Sequence, residues 1–143
     1  MTNEPGSTGR IVVGVDGSDD ARRALSWALD EARQRGIGCL LIHAFDFGLA
    51  AASPLAPIAF EQLRESANAV LDQELAWAKS AGVPVEGRVE LNSAAQALID
   101  ASAGAALLVV GSRGRGGFTG LLLGSVSTAC VHHAHCPVVV IRP

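Results

Sequence analysis

The sequence predicts a single α/β domain: a doubly wound, five-stranded parallel sheet in the order 3-2-1-4-5, with helices on both faces. Three observations predict the class, and the order is the commonest one for five such strands. Short apolar runs alternate with stretches of helical periodicity, the pattern of successive βαβ units. One of those runs, Leu107-Leu108-Val109-Val110, carries no polar residue, as expected of a strand covered on both faces. The apolar mass is also aliphatic. Of the 143 residues 49% are hydrophobic but only 4% aromatic, which suits close packing of helices on a sheet.

The elements follow in order. Residues 1–9, polar with Pro and Gly, read as a disordered tail, and residues 10–143 as the domain. Ile11 to Val15 is a β-branched strand that ends at Asp16-Gly17-Ser18. Ser18 caps a helix with Asp19 and Asp20 in its first turn, where the dipole favours negative charge. Ala21, Ala24, Leu25, Ala28, Leu29 and Ala32 recur at helical spacing, and Gly36 is the stop.

Cys39 to His43 is the second strand, and Asp46 to Ile58 reads as a loose segment rich in Ala, Gly and Pro. A long helix follows with Leu63, Ala67, Val70, Leu71 and Ala78 on one face, closing at Gly82. Val83 to Leu91 is the third strand. Ser93 and Gln96 form a capping box for a short helix through Ala103. After the Leu107–Val110 strand comes a glycine-rich loop, a helix from Ser125 to His133, and a last strand from Pro137 to Ile141.

Composition excludes several classes. A net charge of -3, with one lysine, offers no basic surface for nucleic acid. No run approaches the ~20 apolar residues that span a bilayer, and the first ten residues lack a signal peptide's apolar stretch. Three cysteines in apolar surroundings suit reduced thiols in the cytoplasm, the expected location.

In a doubly wound sheet, ligands bind beyond the carboxyl ends of the strands where the winding reverses. For this order the reversal lies between strands one and four, whose exit loops are Asp16-Gly17-Ser18 and Gly111-Ser112-Arg113-Gly114. Those two loops combine glycine with hydrogen-bonding side chains. The second continues to Ser127, and its glycines allow backbone N–H groups to converge. It then enters a helix N-terminus at Gly124-Ser125-Val126, where free N–H groups favour an anion. Arg113 and Arg115 add positive charge, and the hydroxyls of Ser125 and Ser127 add donors. This is a phosphate cradle without the Gly-Lys-Ser/Thr end of a P-loop.

Gly111, two residues, Gly114, nine residues and then Gly124-Ser125 resembles the ATP-binding motif of the universal stress protein family. The likeness extends to Ile11-Val12-Val13-Gly14-Val15-Asp16-Gly17-Ser18 at the front and to His135-Cys136-Pro137-Val138-Val139-Val140 at the end. The resemblance implies an ATP-binding stress regulator within the wider group of adenine-nucleotide α/β folds related to the α-hydrolases. Val15 would line the adenine pocket and Ala44 would meet adenine through its backbone. Asp16 would face the ribose or a phosphate-bound Mg2+. Gly111, Gly114, Gly124 and Ser125 would hold ribose and phosphates, with Val126 giving a further amide. Two positions depart from the family pattern. Ala106 stands where many members have Asp, and Asn92-Ser93-Ala94 where they often have Gly-x-Pro. Both read as differences in capping.

His132, His133, His135, Cys130 and Cys136 crowd within seven residues, but their spacing matches no familiar set of metal ligands. His43 ends a strand at the mouth of the expected site. With no placed base or nucleophile, ATP hydrolysis or autophosphorylation is expected to be slow at most. The last strand, Val138-Val139-Val140-Ile141, would be a wholly apolar sheet edge. Pairing with its own copy would cover it, and the family resemblance also implies a homodimer there. The alternatives are a nucleotide-hydrolysing or nucleotidyl-transferring enzyme of the same α/β group, and a nucleotide-free interaction protein. The transferases and pyrophosphatases would carry His-x-Gly-His or Ser-Gly-Gly-x-Asp-Ser after strand one, where this chain has Asp16-Gly17-Ser18.

Overall fold

The computed structural model of the chain describes residues 7–113 and 123–143. Five strands, β1 (Ile11–Gly14), β2 (Cys39–Phe45), β3 (Val85–Leu91), β4 (Leu107–Gly111) and β5 (Val138–Ile141), form one sheet in the order β3-β2-β1-β4-β5. Every neighbouring pair is parallel, with Ile11 opposite Cys39 on one side and Leu107 on the other. The expected order is the observed one. The helices are α1 (Asp19–Arg35), α2 (Ala56–Ala78), α3 (Ala94–Ala101) and α4 (Ser125–His133).

Alternation along the strands divides the core in two. Ile11, Val13, Leu41 and Val109 face α1 and α2, meeting Ala24, Leu25, Ala28 and Leu71. Val12, Leu40, Ile42, Leu108 and Val110 face α3 and α4, meeting Ala97, Leu98, Ala101 and Cys130. Alanine on the helices lets them approach the sheet closely, so the large aliphatic groups on the strands are fully buried. Each contributes about 1.5–3 kcal/mol by leaving water. Among the described residues, no helix is long and apolar enough to cross a membrane.

The caps follow the sequence. The Ser18 hydroxyl accepts from the Ala21 amide at 3.2 Å, and Asp19 and Asp20 occupy the first turn of α1. Gly36 ends the helix at φ 68°, with open space where a Cβ would stand, so backbone conformation is what demands glycine there. At α3 the capping box is half made. The Ser93 hydroxyl accepts from the Gln96 amide at 3.2 Å, but the Gln96 side chain donates to Asp100 and the Ser93 amide to the Asn92 carboxamide oxygen.

Several element boundaries and one helix face differ from expectation. The stretch read as loose contains a 3-10 turn at Gly48–Ala52 and the start of α2 at Ala56. Pro57, taken as a loop former, lies in the first turn of that helix, where it has no amide to waste. Leu63 is 38% exposed and the first buried residue of α2 is Ala67, although Phe60 packs higher up against Phe45 and Phe47. The third strand starts two residues late, at Val85, because Pro84 contributes only its carbonyl, which accepts from Cys39 at 2.9 Å.

One ion pair joins α1 to α2. The Arg22 guanidinium holds the buried Glu74 carboxylate through two bonds of 2.8 and 2.9 Å and lies 4.4 Å over the Trp77 ring. The hydrogen bond with Glu74, above all, raises the arginine's already high pKa further, with the charges of Glu74 and Asp19 adding to it against the cost of burial.

Candidate adenine-nucleotide cleft

The connections place a crevice between β1 and β4. From β1 the chain turns to α1 and β2 on one side, and from β4 it turns to α4 and β5 on the other. An open cleft lies above their carboxyl ends. Its walls come from β1 and its exit (Gly14, Val15, Asp16), β2 (Ile42, His43, Ala44), α3 (Ala94, Leu98), and β4 with α4 (Gly111, Arg113, Val126, Ser127).

Most expected site residues therefore meet here. Val15, Asp16, Ala44, Gly111, Arg113, Val126 and Ser127 all line this cleft. Gly124 and Ser125 lie at the N-terminus of α4 and border a shallower neighbouring depression with Thr128, Ala129, His132 and His133. Gly114 lies outside the described residues, as does Arg115, and so does most of the expected N-terminal tail.

The two ends of the cleft differ chemically. Towards β2 and α3 it is apolar, with Ile42, Ala44, Ala94 and Leu98. Towards β4 and α4 it has the Arg113 guanidinium and the N-terminus of a nine-residue helix. An apolar slot beside an anion-favouring end suits a base joined to phosphates.

The backbone around the cleft is tightly held. The Asp16 carboxylate accepts from the Ser18 amide at 2.9 Å, fixing the turn out of β1. Val15 donates its amide to the Ile42 carbonyl at 2.9 Å, and its own carbonyl lies 2.8 Å from Nδ1 of His43. Only a protonated nitrogen can serve a carbonyl, so the hydrogen is on Nδ1, and Nε2 of the neutral ring is an acceptor.

Across the cleft, the Ser112 carbonyl accepts from the Gly124 amide at 2.6 Å and from the Ser127 hydroxyl at 2.8 Å. One carbonyl thus pins the start of α4 to the end of β4. The buried Ser127 hydroxyl, expected to donate to phosphate, has its hydrogen engaged with main-chain carbonyls. Gly124 has φ -81° and ψ 178°, an extended cap. Gly111 needs no left-handed conformation. A Cβ there would stand 3.0 Å from the carbonyl carbon and oxygen of Asp20, so its glycine admits the first turn of α1.

The sequence reading missed the contributions of Gly14, Ile42, Leu98 and Val110. Their only sequence signal is a place near the carboxyl ends of the strands or on the face of α3. The crowded His and Cys residues do not form a cage. Among the described residues, no three His, Cys, Asp or Glu side chains come together to hold a metal. Cys130 is buried, and that burial pushes its thiol up to about 11.

The model of the universal stress protein family matches residues 8–142. The chain belongs to that family. A universal stress protein of Mycolicibacterium smegmatis is 40% identical over 135 residues, 93% of this chain and 45% of that protein. One of Mycobacterium tuberculosis is 40% identical over 134 residues, with coverages of 92% and 45%. The chain spans about half the length of the curated universal stress proteins it matches.

Among solved structures, the fold is similar to UspA of Lactobacillus plantarum, with a TM-score of 0.83 at 23% identity and coverages of 97% and 100%. A universal stress protein in complex with cAMP has a TM-score of 0.71 at 26% identity, covering 95% of this chain and 98% of that one. An Arabidopsis thaliana member with AMP bound has a TM-score of 0.64 at 26% identity, with coverages of 94% and 91%.

Proposed function

We propose that this universal stress protein chain binds ATP in the cleft between β1 and β4 and acts as a nucleotide-dependent regulator. The observation that carries the reading is the convergence of Val15, Asp16, Ala44, Gly111, Arg113, Val126 and Ser127, drawn from separate segments, on one cleft at the winding reversal. The base lies against Val15 and the Ala44 main chain. The phosphates extend towards Arg113 and the N-terminus of α4, where Gly111, Gly114, Gly124, Ser125 and Val126 are the motif positions. Relatives of similar fold solved with AMP and cAMP support the adenine end of this reading.

Asp16 is the residue for Mg2+. One carboxylate is enough for that ion when phosphate oxygens and waters complete its octahedron, and Asp16 lines the cleft at the β1 exit. Bound there, the ion would neutralise phosphate charge. Arg113 and the helix N-terminus orient the same phosphates, and the walls of α3 and β2 shield the base from water. Hydrolysis is slow in this reading, since phosphate contact is chiefly through main-chain amides.

The same reading includes a cytoplasmic homodimer joined through β5. The two sheet edges differ: β3 carries Glu86, Arg88 and Glu90, whereas β5 is Val138, Val139, Val140 and Ile141. Charge guards the first edge against pairing and nothing comparable guards the second.

The deciding experiment is calorimetric titration of ATP and Mg2+ into the purified, nucleotide-free chain, beside a folded Gly114→Val, Gly124→Val double variant. Saturable binding that the variant loses supports the reading. A folded wild type that takes up no ATP overturns it.

A further inference from the structure

Arg113 lines the cleft at its anionic end but is not alone there. Its Nε stands 3.7 Å from Oδ2 of Asp20, in the first turn of α1, and the two side chains are 28% and 13% exposed. Oδ1 of the same carboxylate takes a 2.6 Å bond from Arg23. Asp20 comes within reach of Arg113 because Gly111 has no side chain: main-chain atoms of Asp20 stand 3.0 Å from where a Cβ of Gly111 would be. Gly111 and Arg113 are two residues apart, so one close approach brings helix, carboxylate and guanidinium together.

We infer that Asp20 is a positioning residue for the phosphate, holding Arg113 from its Nε side so that both Nη groups address the ligand. The inference rests on the nucleotide reading above and deepens it. At 3.7 Å the contact is an ion pair without a hydrogen bond, and Arg113 makes no hydrogen bond to any described residue. Among the described residues nothing takes its Nη donors, while the carboxylate restricts a side chain that otherwise has many rotamers. The negative charge of Asp20 does not turn the site against anions. Shared between Arg23 and Arg113, it leaves the trio with a net charge of about +1. A guanidinium steadied from one side and open on the other suits the bidentate recognition of phosphate oxygens.

The test is a double-mutant cycle read by calorimetry with ATP and with adenosine, on Asp20→Asn, Arg113→Gln and the pair, each checked for folding by circular dichroism. Asp20→Asn is expected to lower the ratio of ATP to adenosine affinity about fivefold, the scale of a partly exposed ion pair. That loss should vanish when Arg113 is already Gln. An unchanged or raised ratio in Asp20→Asn overturns the inference, and so does an equal loss in the Arg113→Gln background, which would mark a helix-terminus effect. Failure of the folded wild type to bind ATP overturns the nucleotide reading and the inference together, whereas binding that Asp20→Asn leaves untouched overturns the inference alone.

Discussion

The imidazole of His43 on β2 donates from Nδ1 to the carbonyl of Val15, 2.8 Å away, just past the end of β1. The amide of Val15 is taken by Ile42 on the same neighbouring strand, so β2 grips both polar groups of the residue that precedes Asp16. A side chain here extends the sheet by one bond and sets the direction in which the chain enters the cleft.

Replacing His43 by Leu should therefore leave the Val15 carbonyl without its donor. The expected loss is about 1–2 kcal/mol in urea unfolding, together with weaker ATP binding. His43→Asn, which keeps an N–H donor, should recover part of both. Equal stability of the Leu variant and the wild type would show that water replaces the ring at no cost.

Gly111→Ala probes the approach of α1 to β4. The added methyl meets main-chain atoms of Asp20 at 3.0 Å, and neither element is free to move alone. The expected cost is about 1–3 kcal/mol by denaturation, with impaired nucleotide binding. A variant of wild-type stability would mean that the helix shifts without strain.

Arg22 and Glu74 should behave as a unit. Arg22→Leu strands a carboxylate whose side chain is 4% exposed, and should cost about 2–4 kcal/mol. Replacing both residues with Leu should cost less than that single change, since no buried charge is then left unpaired. Additive losses in the cycle would argue against the pairing.

The buried thiols set an alkaline limit. Burial raises Cys39 and Cys130 to about 11 each, because desolvation penalises the thiolate. A raised folded-state value stabilises fully below the unfolded thiol's range, and that contribution is lost as pH climbs from about 9 towards 11. Cys39→Ala should flatten the fall in stability over that window. In the native state at pH 8, a thiol reagent should modify Cys136, which is half-buried, well before the other two.

The β5 edge offers a test of assembly. The carbonyls of Pro137 and Ile141 accept from the amides of Leu108 on β4 and Ser112 just beyond it, so strand alternation turns the amides of Val138 and Val140 to the open side. Val140→Pro removes an outward donor and should yield a monomer in sedimentation while β4 keeps its ladder. An unchanged dimer would place the interface elsewhere.

Much of this architecture was legible in the sequence. The alternation of strands and helices, the Ser18 cap and the Gly36 stop follow from period and turn chemistry, which are local, and the strand order is the commonest winding of such units. The site was legible where motif residues sit at strand ends, as Val15, Asp16 and Gly111 do. Contacts across the sequence were not. The meeting of Asp20 with Gly111 and the grip of His43 on Val15 each depend on how two elements lie in space. Pro57 misled because proline punctuates loops and helix starts alike, and only packing decides between them. Leu63 misled because its helix is first buried one turn later, at Ala67.

The pairing of Ile11 with Leu107 closes the centre of the sheet with strands from opposite ends of the chain. During synthesis the first strand leaves the ribosome early, then waits with one side bare while β2, β3 and three helices are made. The cleft has walls on both sides of that late seam, so no early fragment of the chain can contain it. Ligand uptake would thus tell a molecule with its centre closed from an incomplete one, and a bound nucleotide would act as a clasp on the seam between β1 and β4.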